Sequence, residues 1–405
     1  MNGRRIQGSL LTGGNRTTLR ATCNRTRHPQ AGSILIAPNL EAGLYDAIVA
    51  ASAVVCGEGG QTGHMQSLCR GRGIPVLLVD EADLAALDGE VTLDLENGSI
   101  LLGPDPAAGP VPPPGPVTPT VQDLGAACAV IADFQDIRTV NSCGPNAMCV
   151  DSFFIREEFL CLAAGLSPLD ALDGGPEETA RYGRAIAERL CAFVEELLPG
   201  QRLVLRLLDL RSDHAASVTE QAPVAVEPNP ELGLHGARWL LGSAAYRDAL
   251  HIMLGELRSR LGDQAQRIHL SVPFLNDADE YAQLRSHLEL PSDVSLSAFI
   301  ETPAAVHATP QICAAGASEL FVGVKDLVQF YLAADRGNHL VADSYQTRHP
   351  AVLDGVHRVV EAARAAGTPV RVFSLGADLT HYLARLATPD GYMMCTAELA
   401  QVLQS

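Results

Sequence analysis

The feature that most restricts this chain is a series of eight short apolar segments spread through its last 280 or so residues. In order they are ACAVIA (127–132), VDSFFI (150–155), LVLRLL (203–208), IHLSVP (268–273), LSAFI (296–300), ELFVG (319–323), PVRVFS (369–374) and GYMM (391–394). Stretches of helical character, such as PEETARYGRAIAERLCAFVEELL and HPAVLDGVHRVVEAARAAG, separate most of them. Parallel strands need long crossovers, and eight strand-and-helix units of this total length are expected to close into a (β/α)8 barrel of the TIM type. In such a barrel the chemistry sits where strands end. Polar residues fall at those points: Arg156 after the second segment, Arg206 and Asp209 at the third, Glu301 after the fifth, Lys325 and Asp326 after the sixth.

A second unit precedes the barrel. GPDPAAGPVPPPGPVTPT is rich in proline and almost uncharged, so it can join neither a helix nor a sheet interior. It divides a small domain (1–103) from the barrel (121–405), with 104–120 as an extended, semi-rigid linker. The small domain reads as mixed α/β, with strands at SILIAP (33–38), SAVVC (52–56) and IPVLLVD (74–80). EVTLDLENGSILLG reads as a hairpin turning on Asn97-Gly98, a type I′ signal. Residues 1–30 show no periodicity and are expected to form an irregular arm.

Composition narrows the function. A net charge of −18 argues against nucleic acid and anionic membranes as partners. No apolar run reaches the roughly 20 residues of a membrane span, and the N-terminal residues lack the apolar core of a signal peptide. Ten scattered cysteines without a CxxC pair fit free thiols in a reducing, cytoplasmic setting. Among 29 basic residues only Lys325 is a lysine.

In GGQTGH, residues 59–64, paired glycines permit a tight turn. Thr62 is placed to cap the helix that follows, and His64 falls in its first turn. The free N–H groups and dipole of a helix start favour an anion, and a neutral imidazole is a nucleophile. Local physics leaves two readings open, a capped surface turn or a histidine that carries a phosphoryl group.

The longer stretch GGQTGH…R.RGIPV resembles the phosphohistidine segment of the phosphoenolpyruvate-utilising enzymes, which include enzyme I of the sugar phosphotransferase system, pyruvate phosphate dikinase and phosphoenolpyruvate synthase. The resemblance places His64 at the phosphorylated position, Thr62 at the threonine and Arg70 at the arginine of that pattern, with Gly63 where a serine is usual. It implies a swivelling phosphohistidine β/α domain.

The barrel segments carry the same resemblance. FIREEFL is similar to F-R-T-E-F-L, and LVLRLLD to the phosphate-arginine segment. NPELGLHGAR, FIETPAAV and FVGVKDLVQFYLAADRGN are similar to three further family segments. They imply substrate contacts from Arg156, Arg206 and Arg336, with Asp209 in support, and one Mg2+ on Glu301 and Asp326; at the same mouth His235 and Lys325, where the chain departs from the pattern, are expected to rearrange the binding of phosphate or carboxylate. Both carboxylates also precede helices, so a capping role is the alternative.

The departures are specific. His235 replaces an arginine and Lys325 an asparagine. The family's segment after the seventh strand holds a cysteine that protonates the enolate of pyruvate. VFSLGADL has none, and Ser374 is too weak an acid to replace it. Cys395, after the eighth strand, is the candidate for a relocated acid; a buried packing role is its alternative. Neither the partner-binding insert of enzyme I nor the nucleotide-binding half of the dikinase is recognised.

The resemblance implies a Mg2+-dependent phosphotransferase that moves a phosphoryl group between phosphoenolpyruvate, or a related phosphorylated acid, and His64, and then to an unidentified acceptor. One alternative has a separate nucleotide-binding subunit charge His64 from ATP, for an acceptor of specialised metabolism held in the barrel. Another is a degenerate, non-catalytic binding protein. Family members often dimerise through the barrel, which makes a homodimer an expectation.

Overall fold

The computed structural model describes residues 5–12, 18–28, 30–58, 64–102, 119–219, 225–336 and 338–404. Residues 104–118 of the expected linker (104–120), and the turn from Gly59 to Gly63 with Thr62, lie outside the described residues. The chain divides into two compact units, one of residues 1–118 with 334–345, the other of 119–333 with 346–405. No helix among the described residues is long and apolar enough to cross a membrane.

The small unit is an eight-stranded sheet of β1 (Arg5–Gln7), β2 (Ser9–Thr12), β3 (Thr18–Asn24), β4 (Ile34–Ala37), β5 (Ala53–Cys56), β6 (Val76–Leu78), β7 (Glu90–Asp94) and β8 (Ser99–Leu102). Its order is β1-β8-β7-β3-β4-β5-β6-β2. Strands β3 to β6 run parallel, and their buried apolar runs AVVC and ILIA fit a sheet covered on both faces. The expected irregular arm is therefore three strands. β1 pairs with β8, β2 with β6 and β3 with β7, each partner more than 60 residues away. Short strands with distant partners leave little local signal, although Thr18–Asn24 does alternate outward and inward along its first residues.

The hairpin also differs from expectation. Asp94 pairs with Ser99, so the loop has four residues, and Gly98 alone of them has a positive φ, at 61°. A type I′ turn needs positive φ at both central residues. Here Asn97 instead binds back, its backbone N–H to Asp94 Oδ1 at 3.0 Å and its amide to Oδ2 at 2.8 Å.

The second unit is a closed parallel barrel. Its strands are β9 (Ala127–Ile131), β10 (Val150–Arg156), β11 (Arg202–Arg206), β12 (Ile268–Val272), β13 (Leu296–Ile300), β14 (Leu320–Val322), β15 (Val370–Phe373) and β16 (Gly391–Cys395). Each pairs with the next and β16 with β9. These are the eight apolar segments. Cys128, Phe154, Val204, Phe299, Phe321, Phe373, Met393 and Cys395 form one buried cluster. Within it the Phe154, Phe299 and Phe321 rings lie 5.2–6.3 Å apart.

Period-two alternation places residues two positions before and after each of these on the same inward side. On the N-terminal side this gives Arg202, Glu319 and Arg371, and on the C-terminal side Arg156, Arg206 and Glu301. The barrel therefore has an ionic floor, an aromatic middle and an ionic mouth.

Candidate functional site

At the mouth, β11 ends in Arg206, which is 2% exposed. Its guanidinium faces three carboxylates. Nη2 donates to Glu158 Oε1 at 2.8 Å and meets Asp209 Oδ2 at 3.1 Å, while Nη1 meets Glu301 Oε1 at 3.4 Å. Nε of Arg206 and Oε2 of Glu158 are buried with no protein partner, so the cluster is incomplete by itself. Burial opposes the arginine's charge, yet Glu158, Asp209, Glu301 and Asp326 raise its pKa.

The carboxylates respond differently. Burial would raise Asp209, but Arg206, His235 and Arg211 outweigh it and hold Asp209 well below the usual range. Burial pushes Glu158 up, and Arg206 offsets this in part. Glu301 is pushed well up by burial and by the charge of Asp326, against the pull of Arg206.

Glu301 follows β13, and Asp326 sits buried in the first turn of the helix Val324–Leu332. Glu301 accepts the backbone N–H of Phe274 at 2.8 Å through Oε2. Phe274 is a non-glycine residue at φ 51°, a conformation that costs free energy and recurs at functional sites. Gly323 leaves the room that Glu301 occupies: a Cβ there would stand 2.7 Å from Glu301 Cγ. Phe274 and Gly323 had no signal in the sequence beyond their places at strand ends.

Two buried carboxylates, of which Glu301 is pushed up by the charge of Asp326, fit a divalent cation. Among the described residues no group of three or more His, Cys, Asp or Glu has metal-binding geometry. A carboxylate pair completed by water and substrate oxygens suits Mg2+.

Lys325 stands in the first turn of the same helix, next to Asp326. It is buried, with Nζ 4.6 Å from the centroid of the Phe373 ring. The guanidinium of Arg156 lies over Phe159 at 5.8 Å. His235 is placed differently from a substrate ligand. Nδ1 is 2.6 Å from Asp209 Oδ1 and Nε2 is 3.1 Å from the Glu231 carbonyl, so neighbours engage both ring nitrogens. Its ring also packs on Phe274 at 4.1 Å. The Ser374 hydroxyl donates to the Leu375 carbonyl at 2.9 Å. Cys395 ends β16 and is buried in the apolar cluster with Cys128, Phe373 and Met393.

Three expected site residues among the described residues belong to the small unit. His64 is the first residue of the helix His64–Gly71. Arg70, in its last turn, reaches the Leu11 carbonyl at 3.4 Å. Arg336 is buried, in the segment 334–345 that groups with the small unit and not with the barrel. The barrel unit thus brings together Arg206, Asp209, His235, Glu301 and Asp326 around one guanidinium, with Arg156 at the end of β10 beside β11, and Lys325 next in sequence to Asp326.

A closed eight-stranded parallel barrel with paired carboxylates and arginines at strand ends defines an α/β protein whose site suits a cation and an oxyanion together. The chain belongs to the PEP-utilising enzyme family. Residues 154–378, more than half of it, match the PEP-binding domain of PEP-utilising enzymes, and residues 29–98 match their mobile domain.

Among curated relatives, a probable phosphoenolpyruvate synthase of Archaeoglobus fulgidus is 24% identical over 88% of this chain and 47% of its own length. A multiphosphoryl transfer protein of Xanthomonas campestris is 28% identical, over 76% and 36%. A phosphoenolpyruvate-protein phosphotransferase of Cupriavidus necator is 29% identical, over 78% and 55%. The chain spans about half the length of the curated relatives it matches, or less.

Proposed function

We propose that the protein is a phosphotransferase that moves a phosphoryl group between phosphoenolpyruvate, or a closely related phosphorylated acid, and His64. The observation that carries this is the incomplete cluster at the mouth, where buried Arg206 and the Glu301–Asp326 pair lie within one network. Arg206 and Arg156 bind the phosphate, Lys325 supplies a further positive charge for phosphate or carboxylate, and Arg336 is a further substrate-binding arginine.

The roles follow from the chemistry of phosphoryl transfer, which depends on positioning and electrostatic stabilisation. A ring nitrogen of neutral His64 attacks phosphorus; an N–P bond forms as the ester P–O bond breaks, and its electron pair leaves on the enolate of pyruvate. The arginines hold the phosphoryl oxygens, and Lys325 lies near charge that develops on the leaving group. Glu301 and Asp326 are the residues that would hold Mg2+, whose chemistry when bound is to neutralise oxygen charge during transfer. His235 acts through Asp209, holding that carboxylate against Arg206.

The test is incubation with Mg2+ and 32P-phosphoenolpyruvate. The expected result is an acid-labile, base-stable label that is lost in His64→Ala. Label from ATP in the presence of a nucleotide-binding partner, and none from phosphoenolpyruvate, would replace this reading with an ATP-charged enzyme. No label from either would leave a binding protein.

A further inference from the structure

Behind the mouth lies a second polar group that the transfer reaction does not use. Glu157 stands between Arg156 and Glu158 at the start of the helix Glu157–Ala163, and it is 2% exposed. Its carboxylate points away from Arg206, into the helical layer. There Oε1 accepts from the Tyr182 hydroxyl at 2.6 Å and Oε2 from the Tyr246 hydroxyl at 2.5 Å. Tyr182 comes from the helix Pro176–Glu195 and Tyr246 from Ala244–Leu261; both are fully buried. The Tyr246 oxygen also accepts the backbone N–H of Leu208, at 3.4 Å. The Tyr182 hydroxyl lies 3.3 Å from Cys161 Sγ, and either atom can donate. Tyr182, Tyr246, Cys161 and Glu158 are the titratable groups that bear on Glu157.

We propose that Glu157 is a positioning residue for the mouth: through Tyr246 it ties the end of β10 to the end of β11, and so presents Arg156 and Arg206 in one fixed geometry. This rests on the reading that the mouth binds a phosphorylated acid. Leu208 lies two residues past Arg206 and one before Asp209, so a bond at its amide fixes the backbone that aims both. Glu157 adjoins Arg156 directly. One phenol oxygen thus bridges the two strand ends that carry the phosphate arginines. In the family segment that this stretch resembles, a threonine occupies the place of Glu157.

The network has two proton arrangements. With Glu157 ionised, both tyrosines donate to it in short, charge-assisted bonds. With Glu157 protonated, its own hydroxyl can donate to Tyr182, which then donates to Cys161, and the bond from Tyr246 loses its charge assistance. Burial, partly offset by the two tyrosine bonds, pushes Glu157 up to about 7. The grip on β11 therefore weakens as pH falls through neutrality.

The experiment compares wild type, Glu157→Gln and Tyr246→Phe in the full chain. The first measurement is hydrogen exchange at the Leu208 amide without ligand, and the second is phosphoenolpyruvate affinity with Mg2+ by calorimetry from pH 5.5 to 8.5. Leu208 exchange is expected to rise about tenfold or more in both variants. Phosphoenolpyruvate is expected to bind wild type at least about threefold more weakly at pH 6 than at pH 8, relative to Glu157→Gln, whose weaker affinity lacks the step near pH 7. Unchanged Leu208 exchange in both variants, or the same pH profile in wild type and Glu157→Gln, overturns the proposal. If wild type binds no phosphoenolpyruvate, the substrate reading fails, and the exchange measurement alone decides whether Glu157 positions β11. Tyr246→Phe keeps the ring that packs on Trp239 and decides the matter if Glu157→Gln does not fold.

Discussion

The barrel carries an ion cluster at each end, and the two are built to opposite specifications. On the floor, two arginines meet two carboxylates. Arg371 binds Asp151 through two nitrogens at 2.7 and 2.9 Å and Glu319 at 2.5 Å, and it also donates to the Ala126 carbonyl. Arg202 holds both oxygens of Glu319 at 2.9 Å. Burial would raise Asp151, but Arg371 and Arg202 outweigh it and keep Asp151 below the usual range. At the mouth one guanidinium faces three carboxylates, and Glu158 and Glu301 are pushed up. A balanced cluster fastens strands together. An unbalanced one is held in place by the rest of the fold and has capacity left for a ligand.

Substitutions that neutralise one residue at each end give the largest contrast. Glu301→Gln is expected to slow labelling of His64 from phosphoenolpyruvate by about 100-fold or more, the scale of losing a well-placed electrostatic group. The same change is expected to raise the melting temperature, because it relieves the repulsion between Glu301 and Asp326. Arg371→Met should do the reverse: unfolding in urea should show a loss of about 3–5 kcal/mol, the cost of leaving buried partners unpaired, with phosphoenolpyruvate affinity unchanged. A labelling rate that tracks stability at both ends would break the comparison.

Titration sharpens it further. The folded pKa of Glu157, about 7, lies above its ordinary value of 4.5. Its contribution to stability is complete below about 4.5 and is lost as pH rises to about 7, on the order of 3 kcal/mol. Asp151 has the opposite sign: its contribution is present above its unfolded pKa and is lost as pH falls through the lowered folded value. Urea unfolding across pH should therefore show a downward slope between about pH 4.5 and 7 that is shallower in Glu157→Gln. A separate acid limb should be missing in Asp151→Asn.

The smallest effect is expected at Cys395. As a member of the apolar middle layer, Cys395→Ala should cost about 1 kcal/mol and leave turnover within about twofold. A turnover loss of tenfold or more with stability intact would instead make Cys395 the acid that protonates the enolate.

Most of the barrel was legible because its strands are local apolar runs and its mouth residues stand one to three positions beyond them. The floor was legible in principle, since Arg202, Glu319 and Arg371 sit two residues before Val204, Phe321 and Phe373. Nothing in the sequence, however, says which strands face each other across a closed barrel. Strands β1 and β2 leave little signal because each is short and pairs with a distant segment; β3 is longer, but most of its length pairs with distant β7. From the sequence His235 reads as a ligand because it stands where the family has an arginine. That Asp209 and the Glu231 carbonyl would occupy both its nitrogens depends on how two loops pack.

The sequence by itself determined the order of the barrel's strands, the residue types at their ends and the family. These rest on local periodicity and short-range spacing, which survive without coordinates. Only the tertiary structure decided how charge is shared: Arg206 among Glu158, Asp209 and Glu301, and Glu157 between Tyr182 and Tyr246, 25 and 89 residues away. The physical reason is that burial sets the strength of every charge interaction, and burial is a property of the folded chain alone.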